Sequence, residues 1–155
     1  MHKLIGKGLV VVLSLGLVAA ACSKSSTPTS GAGGGAGTET TGGTMDIMGH
    51  TVNNKGSEDV SNMDHTELEA DTDDGVNYFK PTVLEGTPGE EVTLELKNES
   101  DSVTHNFSLS EQNIDVDLAP GAEKKVTVTF PDSEPLLFFC KFHEGIGMAG
   151  ELKIM

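Results

Sequence analysis

The sequence predicts an all-β domain over residues 64–155, a two-sheet β-sandwich of seven or eight strands with Greek-key connections. Three observations predict this fold class. Apolar and polar residues alternate in short runs, and turn residues separate these runs at steps of roughly 8–14 residues. No window of the chain shows the period of a long amphipathic helix.

Each predicted strand follows from its own alternation and its flanking turn. The clearest run places Val92, Leu94 and Leu96 on one face and polar residues on the other, directly after a Pro-Gly turn. Because the chain has no Trp and one Tyr, the phenylalanines must supply much of the core: Phe79, Phe107, Phe130, Phe138, Phe139 and Phe142. The strand segments are 66–71, 78–86, 92–98, 103–110, 113–121, 123–130, 135–140 and 150–154.

The N-terminal region predicts export rather than a part of the core. Residues 1–21 have a positive start, an apolar run of thirteen and small residues before Cys22, which is typical of a signal peptide and too short to span a bilayer. The stretch "LVAAAC" resembles a bacterial lipoprotein signal, which implies cleavage before Cys22 and a lipid on its thiol. Secretion without a lipid is the alternative. Residues 22–63 follow as a flexible, acidic, Gly/Ser/Thr-rich linker.

The charge limits the classes of partner. Without residues 1–21, eight lysines face 24 acidic residues, a net charge of −16. This charge excludes nucleic acid as a partner and predicts repulsion from an anionic lipid surface, so the membrane would be reached through the Cys22 lipid. A basic protein partner would be attracted, although acidity can also serve solubility alone.

The stretch "FFCKFHEGIGM" predicts a metal site. It places Cys140, His143 and Met148 in the spacing C-x2-H-x4-M, and two glycines let the loop between them turn back. His105 is the best candidate for a ligand from elsewhere in the fold. Thiolate and thioether favour Cu(I), imidazole suits both copper oxidation states, and a thioether is a poor zinc ligand. The donor set therefore predicts one copper ion.

These residues resemble the cupredoxins, the blue copper proteins that include plastocyanins and pseudoazurins. The spacing of Cys140, His143 and Met148 and the upstream His105-Asn106 pair carry the resemblance, which spans nearly all of residues 64–155. It implies that both histidines bind through Nδ1, with Met148 as a distant axial ligand. It also implies that the Asn106 side chain ties the two ligand segments together and that the Asn106 amide reaches the cysteine sulfur. Lys141 departs from the family, which often has a small hydroxyl residue there.

The resemblance implies an electron carrier rather than an enzyme. Four protein ligands leave no open position for a substrate, so we expect a monomeric, extracytoplasmic carrier that cycles between Cu(I) and Cu(II) and meets unidentified redox proteins. We expect the exposed edge of His143 to be the electron exit. Gly145, Ile146 and the Gly86–Gly89 turn are expected to surround it as an apolar docking patch.

Two other functions are compatible with the same sequence. The first is copper capture, buffering or delivery, because the linker region carries soft ligands that could hold copper loosely: Met45, Met48, His50, Met63 and His65. The second is a metal-free adhesion or interaction module that shares only the sandwich. The four clustered ligands argue against this second alternative.

Overall fold

The computed structural model describes residues 42–155, so the predicted signal peptide, Cys22 and the first part of the predicted linker, up to residue 41, lie outside the described residues. The described part is all-β, which confirms the predicted fold class. Residues 64–155 hold nine strands where seven or eight were predicted, and three further strands precede them, which gives twelve in all. There are also two short 3-10 turns, at Ser110–Gln112 and Glu144–Ile146. Among these residues, no helix is long and apolar enough to cross a bilayer.

The strands form two main sheets and one hairpin. A four-stranded sheet has the order β10-β7-β4-β5, and a six-stranded sheet has the order β3-β6-β12-β11-β8-β9. The hairpin consists of β1 and β2. The strands are β1 Thr44–Ile47, β2 His50–Asn53, β3 Ser57–Asp59, β4 His65–Asp73, β5 Val76–Lys80, β6 Val83–Gly86, β7 Glu91–Asn98, β8 His105–Leu109, β9 Ile114–Leu118, β10 Glu123–Thr129, β11 Leu136–Phe139 and β12 Ala149–Ile154.

The core lies between the two main sheets. Its centre is a group of three aromatic rings from different strands: Phe79 on β5 packs edge-on against Phe107 on β8 and Phe138 on β11, with ring centroids 6.2 and 5.3 Å away. Phe130 is also buried, whereas Phe142 is half exposed, so its predicted place in the core is wrong. Phe142 follows Cys140 by two residues in a loop, where no strand alternation directs its side chain inward.

Ordered β-structure begins earlier than the predicted boundary at residue 64. The hairpin and β3 lie within the segment that the sequence analysis assigned to a linker without a core. Ile47 and Val52 are buried there and pack with Val83 and Ala149, while Val60 enters the main core. The strands are three or four residues long, and a pattern of two apolar residues is too short to show a period.

The strand directions define two ends of the sandwich. The ligand end comprises the β11–β12 loop, the start of β8 and the β4–β5 turn. Gly86 pairs with Ile154, the last residue of β12, and so lies roughly 16 Å from the start of that strand. The Gly86–Gly89 turn is therefore at the opposite end, and its predicted place beside His143 is wrong. The parallel pairing of β6 with β12 joins residues far apart in sequence, which local patterns do not reveal.

We expect the hairpin to contribute to the stability of the domain. Ile47→Ala should lower the free energy of unfolding by about 2–4 kcal/mol, because it removes a fully buried side chain. Met48→Ala, one residue along and 55% exposed, is the matched control and should change it by less than about 0.5 kcal/mol. Urea denaturation of both variants measures this. Equal midpoints for Ile47→Ala and the wild type would show that the hairpin is not part of the cooperative domain.

Candidate metal centre

The β11–β12 loop forms a tight return that begins at Cys140. The Cys140 amide donates to the carbonyl of Met148 at 3.0 Å, and the amides of His143 and Glu144 donate back to the Cys140 carbonyl. The Met148 amide in turn donates to the carbonyl of His143 at 3.2 Å. Gly147 has φ of +92°, a left-handed backbone conformation that residues other than glycine adopt rarely. The backbone of the loop thus holds three of the candidate ligands in a small space.

Three side chains from two segments meet at this end. One ligand atom from each of His105, Cys140 and His143 lies within 4.8 Å of the others. The Cys140 sulfur is 3.4 Å from Nδ1 of His143, and the two imidazole rings are 5.2 Å apart. His105 and Cys140 are buried, whereas His143 is partly exposed. The structure thus brings His105 next to the loop, as the sequence analysis expected.

The polar atoms of the cluster fit a metal ion. Nδ1 of His105 is buried without a hydrogen-bond partner, and no other fully buried side-chain nitrogen or oxygen of residues 42–155 lacks one. Burial, followed by the nearby His143, lowers the pKa of His105 to about 4, so its ring is neutral at pH 7. A buried polar atom without a partner is costly, and a metal ion would satisfy it.

The surroundings of the Cys140 thiol act on its pKa in opposite directions. Burial raises the pKa of the Cys140 thiol, while backbone N–H groups of Phe142, Asn106 and His143 reach the sulfur and oppose that effect. These three donors would stabilise a thiolate, and a bound metal would displace the proton. The Asn106 amide contact is the one that the family resemblance implied.

Met148 lies at the end of the loop with its side chain buried in the main core. Its backbone is bonded to both Cys140 and His143. The structure therefore places it beside the cluster, and its role as an axial ligand stays a prediction.

Asn106 connects the two ligand segments. Its Oδ1 accepts hydrogen bonds from the Lys141 amide at 3.3 Å and from the Ser108 hydroxyl at 2.6 Å. Its Nδ2 donates to the carboxylates of Asp115 and Asp117 at 2.6 and 3.0 Å. The residue after His105 is thus tied to the residue after Cys140, which keeps the two ligands at a constant separation.

Lys141, which stands where the family often has a small hydroxyl residue, is paired with two carboxylates. Its ammonium group forms ion pairs with Asp115 at 2.8 Å and Asp117 at 2.7 Å. These pairs raise the pKa of Lys141 and lower the pKa of both aspartates. The sequence analysis missed the aspartates as neighbours of the site. Their spacing of two residues on β9 places both on one face, which was the available signal.

The hairpin supports the outer side of the ligand loop, which the sequence analysis also missed. The Asn53 amide donates to the carbonyl of Gly147 at 2.9 Å. The Asn53 side chain donates to the carbonyls of Ile146 at 3.0 Å and Asn77 at 2.8 Å. One residue of β2 therefore links the ligand loop to β5.

The additional methionines and histidines are divided between the two ends of the domain. Met48 and His50 lie on the hairpin, where Nδ1 of His50 is 3.8 Å from a Glu144 carboxylate oxygen in the ligand loop. Met63 precedes β4 and His65 is its first residue. Thr72, seven residues after His65, lies at the ligand end, so His65 is roughly 23 Å from that end along the strand. They cannot share a site with His143. Met45 is half-buried against the hairpin cluster.

We expect Lys141→Ser to lower the reduction potential of the metal-loaded protein by tens of millivolts. The substitution leaves two carboxylates without their counter-ion close to the site, which favours the more positive oxidised ion. Lys125→Ser, with the same charge change at a lysine that pairs with Glu95 on the other sheet, is the control. Voltammetry at low and high salt measures both. A potential that moves equally in the two variants would exclude a local role for Lys141.

A family model for the cupredoxin-like domain matches residues 51–153, about two thirds of the chain. A comparison with curated protein sequences finds no match. Among solved structures, the chain is similar to a dithionite-reduced auracyanin from Roseiflexus castenholzii, with 17% identity, 59% of this chain and 97% of that chain covered, and a TM-score of 0.49. Auracyanin A from Chloroflexus aurantiacus, described as a "blue" copper protein, has 22% identity, coverage of 59% and 99%, and a TM-score of 0.45.

A laccase-like multicopper oxidase from Ochrobactrum has a TM-score of 0.50 at 15% identity. It covers 64% of this chain, and this chain covers 29% of that protein. At this identity the likeness shows the fold alone.

Proposed function

Because the chain belongs to the cupredoxin-like family, we propose that it is a membrane-tethered one-electron carrier outside the cytoplasm. Its cofactor is copper, which His105, Cys140 and His143 would hold, and Met148 would be the fourth ligand. The observation that carries the proposal is the cluster of one thiol and two imidazoles, in which the buried Nδ1 of His105 has no hydrogen-bond partner. When bound, copper supplies a single electron by alternating between Cu(I) and Cu(II).

The surroundings of the cluster favour electron transfer over catalysis. Two of its three donors are fully buried, and the proposed fourth ligand is buried as well. A catalytic metal needs a position open to substrate. The Asn106 contact ties the two ligand segments together and the Asn53 contact holds the ligand loop, which supports a geometry that changes little with oxidation state.

The partly exposed edge of His143 is the proposed electron exit. Two large apolar side chains of the ligand loop are exposed near it, Phe142 at 50% and Ile146 at 60%, and Met48 is 55% exposed on the hairpin whose His50 faces Glu144 of that loop. These residues replace the Gly86–Gly89 turn in the expected docking patch. Redox encounters are typically small and transient, and an apolar centre on an acidic protein suits a partner with a basic rim.

The proposed anchor is a lipid on Cys22. It is supported by the "LVAAAC" stretch and by the Gly/Ser/Thr-rich composition that follows. Since β1 begins at Thr44, the tether is shorter than the predicted linker.

The docking patch is tested by adding a charge at its centre. Ile146→Lys should slow electron exchange with the physiological partner at least tenfold, because a buried lysine at the interface would have to be desolvated. Met155→Lys, at an equally exposed position at the opposite end, should leave the rate unchanged. Stopped-flow mixing with membranes of the source cells measures the rates. Equal rates for the two variants would place the exit elsewhere.

Copper handling is the second candidate function, and one observation favours it. Met48 and His50 lie on the hairpin that contacts the ligand loop, so a loosely held ion there would be close to the main site. The carrier proposal predicts no such ion. Titration of Cu(I) into Cys140→Ala should then match titration into Cys140→Ala combined with Met48→Ala and His50→Ala. Tighter binding by the single variant would favour delivery.

A further inference from the structure

We propose that Thr72 is a positioning residue for the copper site: its hydroxyl holds the His105 ring and selects the tautomer whose Nδ1 can bind the metal. This inference rests on the proposed copper function and adds a residue that neither the family motif nor the sequence patterns indicate. The evidence is a chain of two hydrogen bonds that begins at the ring and ends on β5.

The His105 ring has a neighbouring hydrogen-bonding group at only one of its two nitrogens. Nε2 of His105 is 3.1 Å from Oγ1 of Thr72, and Nδ1 of the same ring has no partner and is buried in the cluster. The two ring nitrogens therefore have different surroundings. One nitrogen faces a hydroxyl group, and the other belongs to the side of the ring that is available for a metal.

The single proton of the Thr72 hydroxyl determines which nitrogen of His105 is protonated. Oγ1 of Thr72 also lies 2.6 Å from Oδ1 of Asn77, a carbonyl oxygen that can only accept. A hydroxyl group has one proton, so the donation to Asn77 leaves Thr72 able only to accept from His105. The proton of the neutral imidazole must then be on Nε2. In this tautomer the free lone pair of the ring is on Nδ1, so Nδ1 can bind a metal.

Thr72 lies near the end of β4. Thr66, Leu68 and Ala70 form the core-facing row of β4, and Thr72 is the last position of that row. Asn77 is its direct cross-strand partner on β5, so the acceptor is placed by the register of the sheet. β4 belongs to the four-stranded sheet and β8 to the six-stranded sheet. The Thr72–His105 contact therefore connects the two sheets at the ligand end.

The comparison of Thr72→Val with Thr72→Ser tests the role. Valine has nearly the same shape without the hydroxyl group, so Thr72→Val should weaken copper binding by about 10–100-fold, the usual effect of removing the partner of a ligating histidine. Thr72→Ser restores the hydroxyl group and should bind within about threefold of the wild type, a margin well inside that range. Competition with a chelator of known affinity measures both.

Thr66→Val is the matched control for folding. It makes the same change on the same face of β4, where the hydroxyl bonds Glu58 rather than a candidate ligand. It should leave copper affinity unchanged even if it lowers stability. If Thr66→Val weakens copper binding as much as Thr72→Val does, the effect of Thr72 is one of general stability, and the inference is overturned.

Nitrogen NMR of the copper-free protein gives a readout independent of metal binding. Spectra of the histidine rings should show the His105 proton on Nε2 in the wild type and in Thr72→Ser, and a loss of this single tautomer in Thr72→Val. A wild-type proton on Nδ1 would overturn the inference while leaving the copper function intact. Failure of the wild type to bind copper would instead overturn the proposed function.

Discussion

The structure depends on the convergence of His105 and Cys140, which come from neighbouring strands of one sheet. β8 and β11 are antiparallel partners through Phe139 and Ser108, so the residues that follow Phe139 run back alongside the start of β8. The ligands at those positions must therefore meet at the same end of the sandwich. The hydrogen bond from the Lys141 amide to the Asn106 side chain continues this pairing beyond the last strand residue. A binding cluster thus arises from ordinary strand register, with one added side-chain contact that prevents the two segments from separating.

The cluster is then held from several directions by elements that do not bind metal. Asn53 supports the ligand loop from the hairpin, and the Asp115–Asp117–Lys141 group supports Asn106 from β9. The Thr72 hydroxyl, on the other sheet, contacts Nε2 of His105. Such support limits the rearrangement of the ligands, which suits the proposed electron transfer, because a site that changes little with oxidation state can exchange an electron without large movements of the protein.

The sequence was sufficient for the features that depend on local pattern. Alternation in β7 and β10 and the turns between them predicted the sandwich, and the short spacing of Cys140 and His143 predicted that both belong to one loop. Features that depend on distant pairing were missed or misplaced. The hairpin has too few apolar residues to show a period, although Ile47 is buried in the fold. Thr72 and His105 are 33 residues apart and meet only because the two sheets pack face to face. The Gly86–Gly89 turn was assigned to the wrong end because the parallel pairing of β6 with β12 has no local signature.

The most direct test of the central claim is the visible absorption spectrum of the purified domain, residues 42–155, after addition of copper(II). If Cys140 and the two histidines converge on one ion, the protein should bind one equivalent and develop an intense thiolate-to-copper charge-transfer band, which Cys140→Ala should abolish and reduction should bleach reversibly. A colourless product with one equivalent of copper bound, or a band that persists without Cys140, would contradict the account.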